Sequence, residues 1–135
     1  MKKIISLVVL ATFVLFGLSS CKKYEEGPWI SLRTKTARVA NNWKLEKATQ
    51  DGIDITSNYP SAEQEMDKDG GFKGTSNGIE STGTWKFDSK KESILIKIDG
   101  SNDESKFKII KLKEKELWLD QTVGSQTIRF YWVPR

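Results

Sequence analysis

From Trp43 to the C-terminus, apolar side chains alternate with Lys, Glu, Asp and Thr. A period of two marks a β-strand with one buried face. Clusters rich in Gly, Asp, Asn, Lys and Ser interrupt the alternation at 51–52, 67–71, 88–91, 99–102, 113–115 and 123–125. Gly, Asp and Asn reach the positive φ angles that tight turns need. Between these breaks the pattern predicts eight strands, over 42–49, 62–67, 71–75, 83–87, 93–98, 105–112, 116–120 and 126–133. The apolar phase switches at Ile109-Ile110, since Leu112 follows Ile110 in register; a β-bulge there accounts for the switch. Residues 35–41 permit one short helical turn. Residues 52–61, with Pro60 near the end, are the longest irregular piece and are read as a flexible lid or a long loop.

Consecutive strands joined by short turns form an up-and-down antiparallel meander. Eight such strands with one apolar face close into a barrel, which removes both exposed edges. The expected fold is therefore all-β, an eight-stranded antiparallel β-barrel over residues 35–135.

The first 20 residues read differently. Lys2 and Lys3 precede an apolar run over residues 4–18. Its 15 or so residues fall short of the ~20 that span a bilayer as a helix, so an export signal explains it better than a transmembrane anchor. The run ends Leu18-Ser19-Ser20-Cys21, and Cys21 is the only cysteine. This resembles the lipobox of bacterial lipoproteins. The resemblance implies cleavage before Cys21 and attachment of diacylglycerol and acyl chains to that residue. A thiol is the most nucleophilic side chain available for alkylation, and each buried methylene contributes about 0.8 kcal/mol to anchoring.

Residues 21–34 then form a tether, polar at first and marked by Gly27-Pro28. Its Glu25 and Glu26 resemble the surface-export tag of some Gram-negative lipoproteins, or belong to a plain spacer. No Asp follows Cys21, so the inner-membrane retention signal is missing. The expected location is the outer membrane of the cell envelope, with the periplasmic face and the cell surface both open.

Charge adds little. The chain carries +4, and loss of Lys2 and Lys3 with the leader leaves +2. Lysines are interleaved with acids and apolar residues, so there is no nucleic-acid footprint.

Several phrases of the strand region carry a second resemblance. They are Asn42-Trp43-Lys44-Leu45, Gly83-Thr84-Trp85-Lys86-Phe87, Ile109-Ile110-Lys111-Leu112 and Glu116-Leu117-Trp118-Leu119. In this order, behind a lipobox, they resemble the lipocalin-like lipoproteins of Gram-negative envelopes. Lipocalins place Gly-x-Trp at the start of the first strand and an Arg near the end of the last. The resemblance therefore implies that Trp43 and Arg129 close one end of the barrel through a cation–π contact. Asn41 stands where the family has Gly, and the chain is shorter than typical lipocalins.

The chain offers little for catalysis. It has no histidine, which removes imidazole base chemistry and His-ligated metals. Cys21 is assigned to lipid, and no Gly-rich phosphate loop occurs. Glu63 with Glu65, and Glu114 with Glu116, share strand faces in the manner of solvated edges rather than a glycosidase pair. Asp67 and Asp69 read as a hairpin turn before a Ca²⁺ site. No enzyme activity, metal or cofactor is expected.

What remains is a barrel and its inner face. Candidate ligand-lining residues are Trp85 and Phe87, Ile94 and Ile96, Phe107 and Ile109, Leu117 and Leu119, and Ile128 and Phe130. The leading expectation is a membrane-anchored module that binds a small apolar ligand. The alternative is a filled barrel that docks to another envelope component through outward aromatics such as Trp118 and Tyr131.

Overall fold

The computed structural model describes residues 34–135. Cys21, the apolar run 4–18 and the tether up to residue 33 lie outside the described residues. The chain opens with a one-turn helix, α1 (Lys35–Val39). Nine strands follow: β1 (Asn41–Gln50), β2 (Ile53–Asp54), β3 (Glu63–Met66), β4 (Gly71–Ser76), β5 (Ile79–Phe87), β6 (Ser93–Ile98), β7 (Glu104–Leu112), β8 (Leu117–Val123) and β9 (Gln126–Pro134). All pairings are antiparallel, and β9 returns to β1. Eight strands thus close the barrel. The ninth, β2, is a two-residue spur folded back on the end of β1.

The interior follows from the alternation. Trp85, Ile94, Ile96, Ile109, Leu117, Leu119, Phe130 and Trp132 are buried, while their neighbours along each strand are more exposed. Two bulges correct the phase. One lies between Ile109 and Lys111 in β7, as expected, and lets Leu112 face Leu117. The other, between Leu45 and Lys47 in β1, was not foreseen. It leaves Glu46 and Lys47 both exposed and brings Trp43 and Ala48, five positions apart, to the same interior.

One end of the barrel is solid. Thr34 caps α1 by accepting from the Ala37 amide at 3.1 Å. A five-residue helix has no stability of its own, so tertiary bonds hold it. Arg38, 8% exposed, donates from Nη1 to the Leu112 carbonyl at 3.0 Å. The Trp43 indole donates to the Val39 carbonyl at 2.9 Å. Val39, Trp43, Leu112 and Leu117 are 0% exposed.

The opposite end is built differently. Only Asn41–Lys44 of β1 pair with β3. Beyond them the strands part, and residues 55–62 take over the freed backbone groups. Ala62 accepts from the Leu45 amide, and Ile55 donates to the Ala48 carbonyl, both at 2.9 Å. The Ala48 amide donates to Thr56 Oγ1 at 3.0 Å. Residues 52–61, expected as a flexible lid or a long loop, are a long connection held to the sheet by these bonds. The segment holds β2 and a 3₁₀ turn (Thr56–Asn58), because the parted edge of β1 offers buried polar groups that must be paired.

Gly83 marks a close approach. A β-carbon on it would collide with the Lys97 carbonyl on the neighbouring β6. We expect Gly83→Ala to destabilise the fold by about 1–3 kcal/mol through overpacking. Leu117→Ala, at a site with no exposed surface, should cost about 2–5 kcal/mol. Urea unfolding followed by tryptophan fluorescence measures both.

Candidate functional site

The barrel interior divides at the level of Gln64 and Trp132. Towards α1 it is packed. Towards the turns at 51–62, 76–79, 98–104 and 123–126 it opens into two adjoining lobes of about 450 and 210 Å³. Gln64, Phe72, Ile98, Phe130 and Trp132 line both. The larger lobe lies against the parted edge of β1 and adds Leu45, Tyr59, Ala62 and Ile79. The smaller reaches between β6, β7 and β8 and adds Ile96, Ser105, Phe107, Leu119 and Gln121.

Small side chains make the room. Gly74, Thr75, Ser76 and Ser81 line the larger lobe, where bulky residues on the same strands would fill it. The Phe72 ring leans across Gly74, 3.0 Å from where a β-carbon would stand. Tyr59, brought in by the 3₁₀ turn, meets Phe130 edge-on at 5.2 Å. Phe130 meets Phe107 edge-on at 6.3 Å and stacks on Trp132 at 6.4 Å. This aromatic chain links the two lobes.

The lining is mostly apolar and carries no cation. Glu63 is its one charged residue, and its carboxylate accepts from Arg135 Nη1 at 2.8 Å while Glu65 accepts from Nη2 at 3.0 Å. The Glu63–Glu65 face is thus a bridged exterior edge. The turn at 67–71 is a hairpin: Asp67 Oδ1 accepts from the amides of Asp69 at 3.0 Å and Gly71 at 2.7 Å.

Four of the ten sequence-predicted lining residues, Ile96, Phe107, Leu119 and Phe130, do line the lobes. Trp85, Ile94, Ile109 and Leu117 lie in the buried core without lining either lobe. Phe87, half-buried, meets Trp85 edge-on at 5.4 Å at the solid end. Ile128 packs half-buried against the core on β9. Periodicity gives a strand's inward face, not the depth at which side chains stop filling the barrel. That limit also hid Ile98 and Trp132, which share the inward phase. Gln64 was not singled out, although its place between Ala62 and Met66 on the face opposite Glu63 and Glu65 gave a signal for it. Tyr59, coming from a loop, left no periodic signal.

Trp43 and Arg129 are not brought together. Trp43 faces inward opposite Pro134, whereas Arg129 pairs with Thr49, far along β1. Arg129 belongs to the outer face of β9. There it forms a two-pronged bond to Asp120, Nε to Oδ1 at 2.7 Å and Nη2 to Oδ2 at 3.0 Å. Phe130 and Trp132 take the inward phase of that strand, which leaves Arg129 no route to the indole. The buried arginine at the Trp43 end is Arg38. A cation–π contact does occur, but outside: Lys111 Nζ lies 4.2 Å from the Trp118 ring centre. Trp118 and Tyr131 meet edge-on at 4.8 Å on that outer face.

The closed antiparallel meander, solid at one end and hollow at the other, is an eight-stranded β-barrel. It is consistent with the lipocalin-like architecture that the sequence resembles. No protein-family model matches the chain, and no curated protein matches it.

Asp54 anchors the start of the 3₁₀ turn at Thr56. The Thr56 hydroxyl and then the Thr56 amide donate to its carboxylate and hold its pKa below the ordinary 3.8. A carboxylate lowered in this way favours the fold above its unfolded pKa, and the contribution fades as pH falls through the folded one. NMR titration of the Asp54 carboxyl carbon should show a midpoint below 3.8, returning towards that value in Thr56→Val.

Proposed function

We propose that this protein is a lipid-anchored, lipocalin-like binding module that holds a small apolar ligand in the hollow end of its barrel. The observation that carries the reading is the pair of adjoining lobes, about 450 and 210 Å³, lined mainly by aromatic and aliphatic side chains. Cavities of this size and polarity are the usual dimensions of small-molecule sites. The solid end gives the opposite wall the rigidity that a preformed pocket needs.

The anchor is the second half of the proposal. Cys21 follows a signal-like run and a Leu-Ser-Ser triplet, the sequence setting for acylation. The tether then leads to Thr34 and α1, at the solid end of the barrel. A membrane attachment at Cys21 enters the domain at the end away from the mouth.

A docking role draws on a separate observation. Ile53, Ile79 and Val123, 69%, 70% and 56% exposed, all stand at strand ends beside the turns of the hollow end. On this reading a double serine variant at Ile53 and Val123, neither of which lines a lobe, loses an envelope partner in a cross-linking comparison with the parent, whereas a pure ligand carrier is indifferent to it.

Two measurements test the main reading. N-phenyl-1-naphthylamine, an uncharged apolar dye, should bind saturably with a rise in its fluorescence. Ser81→Phe, which fills the larger lobe, should weaken binding at least tenfold with the fold retained. Unsaturable dye binding, or an unchanged affinity in Ser81→Phe, removes the cavity from the account. Mass spectrometry of the native product should find Cys21 acylated, and Cys21→Ser should release the protein from the membrane fraction.

A further inference from the structure

Three tryptophans point into this barrel, and two of them obey the rule that a buried indole N–H finds an acceptor. Trp43 donates to the Val39 carbonyl at 2.9 Å and Trp85 to the Asp67 carbonyl at 2.8 Å. Trp132 breaks the rule: its Nε1 is buried and meets no acceptor. The Nε2 of Gln64, a residue only 5% exposed, is likewise buried without a partner.

These two donors are not scattered. Gln64 sits on β3 opposite Trp43 of β1, and Trp132 on β9 opposite Leu45 of the same strand. They therefore flank β1 on the interior face, and both side chains line both lobes. Burying a polar group without a hydrogen bond is costly. Here the cost falls twice among residues at the junction of the cavity, whereas the indoles of Trp43 and Trp85 in the packed half are both paired. The terminal torsion of Gln64 is soft, so its amide can turn towards either lobe.

We propose that the ligand is an uncharged apolar molecule bearing a carbonyl oxygen, held at the junction of the lobes by hydrogen bonds from Gln64 and Trp132. This rests on the reading of the barrel as a small-molecule binder. The charge of the lining selects within the class. No Lys or Arg lines either lobe, and the one charged residue, Glu63, is acidic. A fatty carboxylate would enter without a counter-charge, at the desolvation cost of a buried anion. A ketone, ester or amide accepts from both donors and brings no charge. An alkylammonium ion can use only the Gln64 carbonyl oxygen and a Glu63 carboxylate already bridged to Arg135, and it leaves the Trp132 indole N–H unpaired.

The test is displacement of bound N-phenyl-1-naphthylamine from the full-length protein by a ten-carbon series: 2-decanone, decanoate and decylammonium. The ketone should displace the dye at a concentration at least tenfold below either ion. Gln64→Leu and Trp132→Phe each remove one donor without opening a large void. Each should weaken 2-decanone about threefold to tenfold, the worth of one neutral hydrogen bond. Removal of an orphaned amide should also leave the melting temperature of Gln64→Leu level with the parent or above it, which separates loss of a contact from loss of the fold. Equal displacement by ketone and decanoate overturns the inference. So does a ketone affinity unmoved in both variants, because the donors then serve solvent in the cavity. Either result leaves the cavity a binding site. Failure of the dye to bind the parent protein overturns the underlying reading, and this one with it.

Discussion

Everything in this structure depends on how β1 spends its two edges. One edge pairs with β9 from Trp43 to Gln50 and closes the barrel. The other is divided three ways, among β3, the 55–62 segment and β2. A backbone amide or carbonyl taken from water must find a partner, so a strand whose neighbour departs needs a substitute. Thr56, Ile55 and Ala62 are that substitute. The same parting of β1 and β3 widens the wall where the larger lobe lies, so closure and cavity have one cause.

The interior is correspondingly asymmetric. Large side chains gather where backbone carbonyls from α1 and the 67–71 turn accept their polar atoms, as for Trp43 and Trp85. At the other end the strands carry Gly74, Ser76 and Ser81 on the inward side, and Ser105 lines the smaller lobe. Packing fails to reach across, and a rim of Tyr59, Phe130 and Trp132 surrounds the space. The solid half supplies most of the burial that offsets chain entropy. That frees the hollow half to carry groups, Gln64 above all, which a stability-driven core would exclude.

The outer face of β7–β9 supports this wall from behind. Lys111 lies over Trp118 and pairs with Glu116 at 3.1 Å, and the Asp120–Arg129 pair ties β8 to β9 beneath Tyr131. Half-buried pairs of this kind contribute modestly on their own. Their register across neighbouring strands nevertheless agrees with the inward register of Leu117, Leu119, Phe130 and Trp132, and that agreement pins the pairing against a one-residue slip.

The sequence alone determined the eight strands, their order, the bulge at Ile109-Ile110 and the inward phase, because each is a local consequence of a two-residue period broken by turn formers. It could also place Glu63 with Glu65 outside, from the same period. It could not place Arg129, whose partner Asp120 lies on the adjacent strand, nor foresee that Arg38 serves the Trp43 end. The β1 bulge was hidden because Glu46 and Lys47 are both polar and carry no phase. Tertiary structure alone decided where the barrel stops being full, since depth along the axis depends on side chains meeting from opposite strands. It alone showed Gln64 and Trp132 buried together beside a cavity. A side chain's period says which way it points; only the closed sheet says what it meets there.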